Sequence, residues 1–403
     1  MASPHIVARL AHFWSEPGPA ELVVRCAAGT HRVRLARGRF WAGARCPACG
    51  RAVDPYRIRR VSAWLAGLVR PAAPRLFPRL LWIVTLVYVA IAVTAAAGVW
   101  LLADRWWLAT VLLFGPRWVL ALPLGVLLPA ALLLDRPLFL PLLIATLVLL
   151  GPVIGLHTGW RRLFVTPDPT RDLRVMTFNT EGGRGVSWTP TGVLDALEVD
   201  IAALQECGPA IAERVEAVEG WHTDARGGAC LISRFPIVAV TQMERDALLA
   251  AGGAGLVVTY VLAVGTREIR LTNLHLETPR AGLEAIRSGD LTEGAPLLEG
   301  KSLLRTFEHR FAQRSVDTLP GPRLVVGDFN SPPESPMFRS SWAAWQNAFS
   351  LVGVGLGGTR LNGWIRARID HILADEHWTV VRSRLGPNLG SDHAPLLADL
   401  RLR

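Results

Sequence analysis

The stretch Arg323-Leu-Val-Val-Gly-Asp-Phe-Asn330 decides the fold predicted for this chain. Residues 323–326 form a short apolar run that is typical of a buried strand. Gly327, Asp328 and Asn330 follow where that strand ends, and a Gly-Asp-x-Asn sequence by itself is commonly a turn. Carboxylate and amide oxygens at a strand end are also the ligands that Mg²⁺ prefers. The neighbouring sequence must therefore decide between a turn and a metal site.

Four further clusters of polar residues lie along the same C-terminal part of the chain. They are Met176-Thr-Phe-Asn179, Leu204-Gln205-Glu206, Asn273-Leu-His275, and the pair Ile369-Asp370-His371 with Ser391-Asp392-His393. Ten apolar or alternating runs between residues 173 and 402 predict strands, and helical patterns lie between them. Carboxylates, amides and histidines at strand ends can bind a divalent cation, activate water and donate to a phosphate.

In this order and spacing, residues 172–403 resemble the endonuclease/exonuclease/phosphatase superfamily. Residues 231–237, Leu-Ile-Ser-Arg-Phe-Pro-Ile, are also similar to a strand of that family. The resemblance implies an α/β fold, a four-layered sandwich in which two packed mixed β-sheets are flanked by helices. It also implies an Mg²⁺-dependent or Mn²⁺-dependent phosphoric ester hydrolase.

The resemblance further implies a role for each matched residue. Glu206 would be the principal metal ligand, with Asn179 and Asp392 beside it. The other expected roles are water activation by Asp328, water or phosphate binding by Asn330, phosphate contacts from His275 and His393, and orientation of His393 by Asp370. Glu181 is either a second metal ligand or a solvated loop residue, and His371 is expected to be structural.

The net charge of +10 is unevenly distributed along the chain. Residues 1–79 carry a net +11, whereas residues 163–403 carry −4. A nuclease is expected to present a basic strand-binding surface, which the acidic C-terminal part does not favour. The basic excess therefore belongs to the N-terminal segment and is no evidence of nucleic-acid binding.

Three apolar stretches predict membrane-spanning helices at residues 80–102, 119–134 and 138–156. Residues 104–117 are predicted to be an interfacial turn with Trp anchors. The Arg-rich flank before the first span favours a cytoplasmic N-terminus, so three spans would place the C-terminal domain outside. No cleavable signal peptide is evident in the first 30 residues, and the chain is expected to be an integral plasma-membrane protein.

Cys46-Pro-Ala-Cys49-Gly50 has the spacing of a zinc knuckle. Cys26 and His31 can complete a Zn²⁺ site with Cys46 and Cys49, although a metal-free knuckle fits the sequence equally well. The sequence leaves open whether Cys207 and Cys230 pair.

The predicted organisation has four parts. They are an Arg-rich cytoplasmic segment with the knuckle (1–79), a membrane region (80–160), a linker (161–171) and a catalytic domain (172–403). The predicted activity is hydrolysis of a phosphate ester or pyrophosphate, with a lipid at the outer membrane face as substrate. This layout is similar to that of the membrane-anchored teicoplanin-resistance phosphatases. The alternatives are a nuclease of the same superfamily and a catalytically inactive, membrane-tethered binding domain.

Overall fold

The computed structural model describes residues 21–26, 29–34, 76–159, 171–184, 189–363 and 365–403. The chain divides into two compact units at Pro71 and Ala72. In the first unit, strands β1 (Glu21–Cys26) and β2 (Gly29–Arg34) form an antiparallel hairpin.

The predicted zinc knuckle is only partly covered by these residues. Cys26 ends β1 and His31 lies in β2. Cys46 and Cys49 lie outside the described residues, as does the predicted linker except for Arg171. The Zn²⁺ site stays a prediction.

Apolar helices open the second unit. They are α1 (Leu76–Ala97), extended by a π-helical turn (Gly98–Leu102), α2 (Trp107–Phe114), α3 (Leu124–Leu134) and α4 (Phe139–Val148), extended by a π-helical turn (Leu149–Val153). Within the described residues, three segments are long and apolar enough to cross a membrane: 79–102, 117–134 and 136–153. They coincide with the predicted spans to within three residues. The predicted interfacial turn contains the eight-residue helix α2, which is too short to span.

The rest of the second unit is an α/β sandwich. Its strands are β3 (Leu173–Asn179), β4 (Ile201–Gln205), β5 (His222–Arg226), β6 (Ala229–Ser233), β7 (Ile237–Gln242), β8 (Leu256–Val264), β9 (Arg267–His275), β10 (Arg323–Asp328), β11 (Gln346–Asn347), β12 (Arg360–Asn362), β13 (Ile365–Ala367), β14 (Asp370–Ala374), β15 (Trp378–Leu385) and β16 (Leu396–Leu402). Its helices are α5 (Pro190–Leu197), α6 (Pro209–Glu216), α7 (Asp246–Ala250), α8 (Arg280–Arg287), α9 (Leu291–Asp317), α10 (Pro336–Trp342) and α11 (Ala348–Val352).

Two six-stranded sheets face each other in this sandwich. One has the order β11-β14-β10-β9-β8-β7 and the other β15-β16-β3-β4-β6-β5. Both sheets are mixed, because β9 and β10 are parallel, as are β3 and β4, among otherwise antiparallel neighbours. Val175 and Leu173 of β3 face the core between the sheets, whereas Met176 and Phe178 pack on a second core beneath helices. The central strands β3, β4, β6 and β14 are buried on both faces, and helices flank the two sheets, as the predicted four-layered sandwich requires.

All ten predicted strands are present, and the strands and helices that the sequence did not predict are short, with at most eight residues each. Strand β5, His-Thr-Asp-Ala-Arg, is an edge strand with half-buried and exposed side chains. An edge strand needs little apolar surface, so its sequence carries no clear period. In helix α8, which was also not predicted, Gly282 is the one buried residue.

Candidate active site

The topology brings the predicted site residues to one end of the two sheets. In the parallel pair β3–β4, Asn179 lies beside Gln205, and Glu206 follows directly. In the parallel pair β9–β10, His275 lies beside Asp328. Because the carboxyl ends of parallel strands share an edge, the two pairs gather these side chains from four segments of the chain.

Backbone conformation sets the direction of the polar side chains at these strand ends. Gly327 has φ +139°, and a Cβ built there would lie 1.9 Å from the carbonyl oxygen of Leu274, so only glycine fits. Glu206 (φ +47°) and Asn330 (φ +48°) occupy the left-handed region, which non-glycine residues adopt uncommonly. Such strain is tolerated mainly at functional sites, where the surrounding structure enforces it.

The amide of Asn179 joins the two carboxylates at the centre of the site. Its Nδ2 donates to Glu206 Oε1 at 2.9 Å and to Asp328 Oδ2 at 3.0 Å. Its Oδ1 accepts from the backbone N–H of Glu181 at 3.0 Å. His275 Nε2 lies 3.7 Å from Glu206 Oε1 and 3.8 Å from Asp328 Oδ2. Four predicted site residues are therefore within contact distance of one another.

A buried Asp–His pair stands on the other side of Asp328. His393 Nδ1 is 2.8 Å from Asp370 Oδ2, and His393 Nε2 is 3.7 Å from Asp328 Oδ2. Burial lowers the pKa of His393, but the Asp370 carboxylate outweighs it and raises that pKa to about 9. The backbone N–H of Asp370 donates to Thr359 Oγ1 at 3.1 Å, which fixes the start of β14. This arrangement leaves Nε2 directed toward Asp328, as expected for an oriented imidazole.

The two central carboxylates have opposite shifts in pKa. Burial, reinforced by the neighbouring Asp370, raises the pKa of Asp328. Burial also raises that of Glu206, but the hydrogen bond from Asn179 and the charges of His275 and His393 lower it below its usual value. A buried carboxyl with a raised pKa beside an ionised carboxylate is an arrangement typical of active sites.

Asp392 enters the site with a basic partner. Its carboxylate forms an ion pair with Arg360, whose Nη1 is 3.2 Å from His393 Nε2. The backbone N–H of Asp392 donates to Glu181 Oε2 at 3.3 Å. The sequence prediction grouped Asp392 with Glu206 and Asn179, but its closest charge is Arg360, a residue that the sequence prediction did not include.

The donor set fits a divalent cation. Asp328, Asp370 and His393 are buried, and their ligand atoms lie within 4.8 Å of one another. Oδ1 of Asp370 and Oδ1 of Asp392 are buried and have no hydrogen-bond partner within the described structure. Buried carboxylate oxygens without donors are costly unless a cation or a proton satisfies them.

Two further features, a buried amide and a disulfide, support the site. Asn273, which is buried, donates through Nδ2 to the carbonyls of Leu204 at 3.0 Å and Cys230 at 3.2 Å, so it joins the two sheets. A disulfide links Cys207, directly after Glu206, to Cys230 on β6. The pairing that the sequence left open is therefore present, and it fixes the turn that carries Glu206.

His371, which was expected to be structural, is buried among protein groups. Its Nε2 is 2.9 Å from the carbonyl oxygen of Ser331, and its Nδ1 is 3.1 Å from Asn347 Nδ2. Burial lowers its pKa to about 3, so the ring is neutral and supports the backbone that follows Asn330.

A cavity of about 130 Å³ opens onto the site. It is lined by Glu206, His275, Asp328, Asn330, Thr278 and Arg280, of which the last two were not predicted. Arg280 begins helix α8 and is exposed, so nothing in its local sequence distinguished it from a surface arginine.

The fold and this site define a class of metal-dependent phosphoester hydrolases built on an α/β sandwich. Residues 176–393, more than half of the chain, match the model of the endonuclease/exonuclease/phosphatase family. The chain belongs to this family, whose members are metal-dependent phosphoesterases and nucleases.

Solved structures are also similar to the chain, at low identity. Humanized D. rerio TDP2 is 15% identical, with 57% of this chain and 98% of that one covered and a TM-score of 0.46. The endonuclease/exonuclease/phosphatase from Beutenbergia cavernae is 20% identical (58% and 72% covered, TM-score 0.40). Mannosyl-6-phosphatase from Bacteroides thetaiotaomicron is 16% identical (57% and 99% covered, TM-score 0.39). A comparison with curated proteins gives no match.

Proposed function

We propose that the chain is a membrane-anchored, Mg²⁺-dependent phosphoesterase that hydrolyses a phosphate ester or pyrophosphate of a membrane lipid at the outer face. One observation carries this proposal. The guanidinium of Arg305 contacts both the apolar N-terminal helices and the catalytic site: Nη1 is 3.5 Å from Asp104 Oδ1, and Nη2 donates to the carbonyl oxygen of Asn330 at 2.7 Å.

The position of Asp104 relates this contact to a bilayer. Asp104 follows the first candidate span by two residues and precedes helix α2, so it lies at the headgroup level of a membrane that holds the three spans. The side chain of Arg305 then spans the distance between the headgroup level, at Asp104, and the backbone of Asn330. A site at this height meets lipid phosphates at high effective concentration.

The disulfide supports the extracytoplasmic placement. Disulfides persist in oxidising compartments and are rare in the cytosol. Cys207 and Cys230 are both at most 7% exposed, so the bond is part of the domain core. The odd number of candidate spans and the Arg-rich N-terminal flank favour the same placement.

In this proposal Glu206, which lines the cavity, would be the principal ligand of the cation, and Asn179 and Asp392 would be further ligands. A bound Mg²⁺ neutralises phosphate oxygens and polarises the phosphorus centre. Glu206 suits this position because its pKa is lowered, so the carboxylate is ionised at neutral pH. Glu181 contacts the backbone of Asp392 and is the candidate for a second ligand.

The remaining residues are assigned to water and phosphate. Asp328 accepts a proton from the attacking water, and Asn330 holds that water or a phosphate oxygen. His393, with its raised pKa, is protonated at neutral pH and donates to a phosphoryl oxygen, with Asp370 fixing the ring. His275 stands across the site and assists the leaving group.

Catalytic variants of the full-length protein in liposomes test this proposal. Asp328→Asn and His393→Ala are each expected to lower turnover by at least ~10², the usual scale for an acid–base group. The matched control is His377→Ala, because His377 also pairs with an aspartate, Asp375 at 3.1 Å, but is itself exposed. Wild-type turnover in either site variant would contradict the assignment.

A comparison of candidate substrates tests whether the substrate is a lipid. A polyprenyl pyrophosphate, a phospholipid, a sphingolipid and single- and double-stranded DNA are offered to the same liposomes, with Mg²⁺ and with a chelator. We expect Mg²⁺-dependent release of phosphate or headgroup from a lipid. If DNA is degraded at least as efficiently as the best lipid, the nuclease alternative replaces this proposal. If no substrate is turned over with either Mg²⁺ or Mn²⁺, the alternative of a catalytically inactive binding domain replaces this proposal.

A further inference from the structure

A second cavity, of about 210 Å³, lies where the apolar helices meet the catalytic domain. Its wall includes Arg117, Ile154, Glu334, Leu356, Arg366 and Arg368. It shares no lining residue with the catalytic cavity. Three arginines and one glutamate therefore surround a space to which the catalytic mechanism assigns no role.

The one acidic group of the wall is already paired. Glu334 Oε2 is 2.9 Å from Arg117 Nη1, which also donates to the carbonyl oxygen of Val153 at 2.7 Å. Gly155 passes so close that a Cβ there would lie 2.3 Å from Glu334 Oε1. Glu334 is thus held against the ends of the apolar helices, which leaves Arg366 and Arg368 as the excess charge of the wall.

Arg368 is buried with part of its guanidinium unsatisfied. It is 3% exposed, and its Nε and Nη1 have no hydrogen-bond partner within the described structure. Its Nη2 lies 3.0 Å from His157 Nε2 and 3.0 Å from Ser350 Oγ, which are both neutral partners. Burial and the Arg368 charge lower the pKa of His157 to about 4, so the imidazole supplies no negative charge. The charge of Glu334 acts on Arg368, but that carboxylate is paired with Arg117 and makes no hydrogen bond to the buried Nε and Nη1. Buried donors without a partner are costly.

The cavity lies at the level where the second candidate span begins and the third ends. Arg117 begins the second span, and Ile154 directly follows the third. Leu356, on the catalytic domain, is 40% exposed beside them. Arginine and tryptophan are typical of the membrane headgroup layer, where basic pockets between helices bind anionic headgroups. This step rests on the membrane anchoring in the proposed function, but not on its hydrolytic activity.

We propose that this cavity binds the phosphodiester of an anionic phospholipid, with Arg366 and Arg368 donating to the phosphate and Ile154 and Leu356 contacting the glycerol and acyl portion. The bound lipid is not a substrate, because the cavity has no carboxylate free to hold a metal or activate water. Its phosphate accepts from the unpaired donors of Arg368 and balances the excess positive charge of the wall, and the lipid joins the apolar helices to the catalytic domain.

Native mass spectrometry of the full-length protein in a neutral detergent tests this site. The probes are phosphatidylglycerol, phosphatidylcholine and glycerol 1-phosphate. We expect one phosphatidylglycerol to bind at least ~10-fold more tightly than phosphatidylcholine, because both lipids present the same phosphodiester but the arginines repel the choline cation. Equal binding of the two lipids overturns the proposal. Equal affinity for glycerol 1-phosphate overturns the lipid assignment in favour of a soluble phosphate.

Two variants locate the binding. Arg366→Gln removes an exposed guanidinium that the fold does not need, and Arg368→Gln removes the buried one; each is expected to weaken phosphatidylglycerol binding by ~10-fold. Arg382→Gln is the matched control, because Arg382 is exposed on β15, in a sheet that contains neither Arg366 nor Arg368, and this variant should bind phosphatidylglycerol as the wild type does. Unchanged binding in Arg366→Gln overturns the proposal even if Arg368→Gln fails to fold.

The same measurement on Asp328→Asn separates this site from the catalytic one. Retained phosphatidylglycerol binding in this variant supports a separate site, whereas its loss places the lipid in the catalytic cavity and overturns the inference. A protein that binds phosphatidylglycerol but hydrolyses no phosphoester supports the cavity and refutes only the proposed activity. Release of the protein from membranes by an alkaline carbonate wash refutes the anchoring on which both depend.

Discussion

Asp104→Asn is expected to destabilise the protein strongly and to reduce its activity, because Asp104 is the partner of a fully buried arginine. Arg305 is 0% exposed, and Asp104 Oδ1 lies 3.5 Å from its Nη1. Oδ2 of the same carboxylate accepts from Ser335 Oγ and from the backbone N–H of Met337. Asparagine suits the test, because Asp104 has φ +64°, a conformation that asparagine adopts at little cost.

The size of the effect follows from the burial of the pair. Two unit charges 3.5 Å apart attract by about 5 kcal/mol at an effective dielectric constant of 20. The charges of Glu277 and Glu308 also stabilise Arg305, which offsets part of this loss. We therefore expect a loss of about 3 kcal/mol, the lower part of the range for breaking a buried ion pair. For a domain of this size that is roughly 6–12 °C in Tm.

Thermal unfolding of the detergent-solubilised protein, followed by tryptophan fluorescence, measures the change. The matched experiment is a double-mutant cycle with Arg305→Met, since replacing both charges by uncharged groups costs less than removing one. The double variant should recover part of the Tm but not the turnover, because a methionine side chain cannot donate to the carbonyl oxygen of Asn330. A fall in Tm of less than 2 °C in Asp104→Asn would refute the reasoning.

Three further predictions test the fold, its response to acid and its orientation. Gly327→Ala should abolish activity and lower the yield of folded protein, because the added Cβ would lie 1.9 Å from a carbonyl oxygen; normal yield and activity would contradict the strand geometry. Burial lowers the pKa of His309 to about 3, so stability should fall by up to about 1.4 kcal/mol per pH unit below about 6.5, where the unfolded histidine takes up a proton. Unfolding at pH 7 and pH 5.5 should show a smaller difference in His309→Gln than in the wild type, and an equal difference would refute this linkage. A phosphatase reporter fused after Arg403 should be active and one fused after Arg79 inactive, whereas the reverse pattern would mean a wrong span count.

The sequence predicts which polar residues meet at the candidate site, because each is part of a short local pattern at a strand end; their catalytic roles stay predictions. Glu206 follows Leu-Gln at the end of β4, and Asp328 follows a buried apolar run, so local spacing alone places both at the edge of a sheet. The pairing of Asp370 with His393 was expected from the family resemblance, although 23 residues separate them along the chain.

The basic residues around the site could not be predicted from the sequence. Arg360 is 33 residues from His393, and Arg305 is 25 residues from Asn330, so no local period connects either pair. Arginine is mostly a surface residue, and its burial is a property of the assembled fold. The chain has many arginines, and composition does not tell which of them is buried.

The apolar helices pack against the catalytic domain, so their role goes beyond tethering it. A flexible linker after the last span would leave the catalytic domain free to rotate above a membrane. Instead Arg117 pairs with Glu334, the backbones of His157 and Gly355 exchange two hydrogen bonds, and Asp104 accepts from Ser335. Each of these contacts joins the helices to a segment adjoining a site strand or loop, so the helices and the site form one packed unit. The proposed bilayer would then fix both the height and the orientation of the site, and position would contribute to substrate choice alongside the shape of a small catalytic cavity.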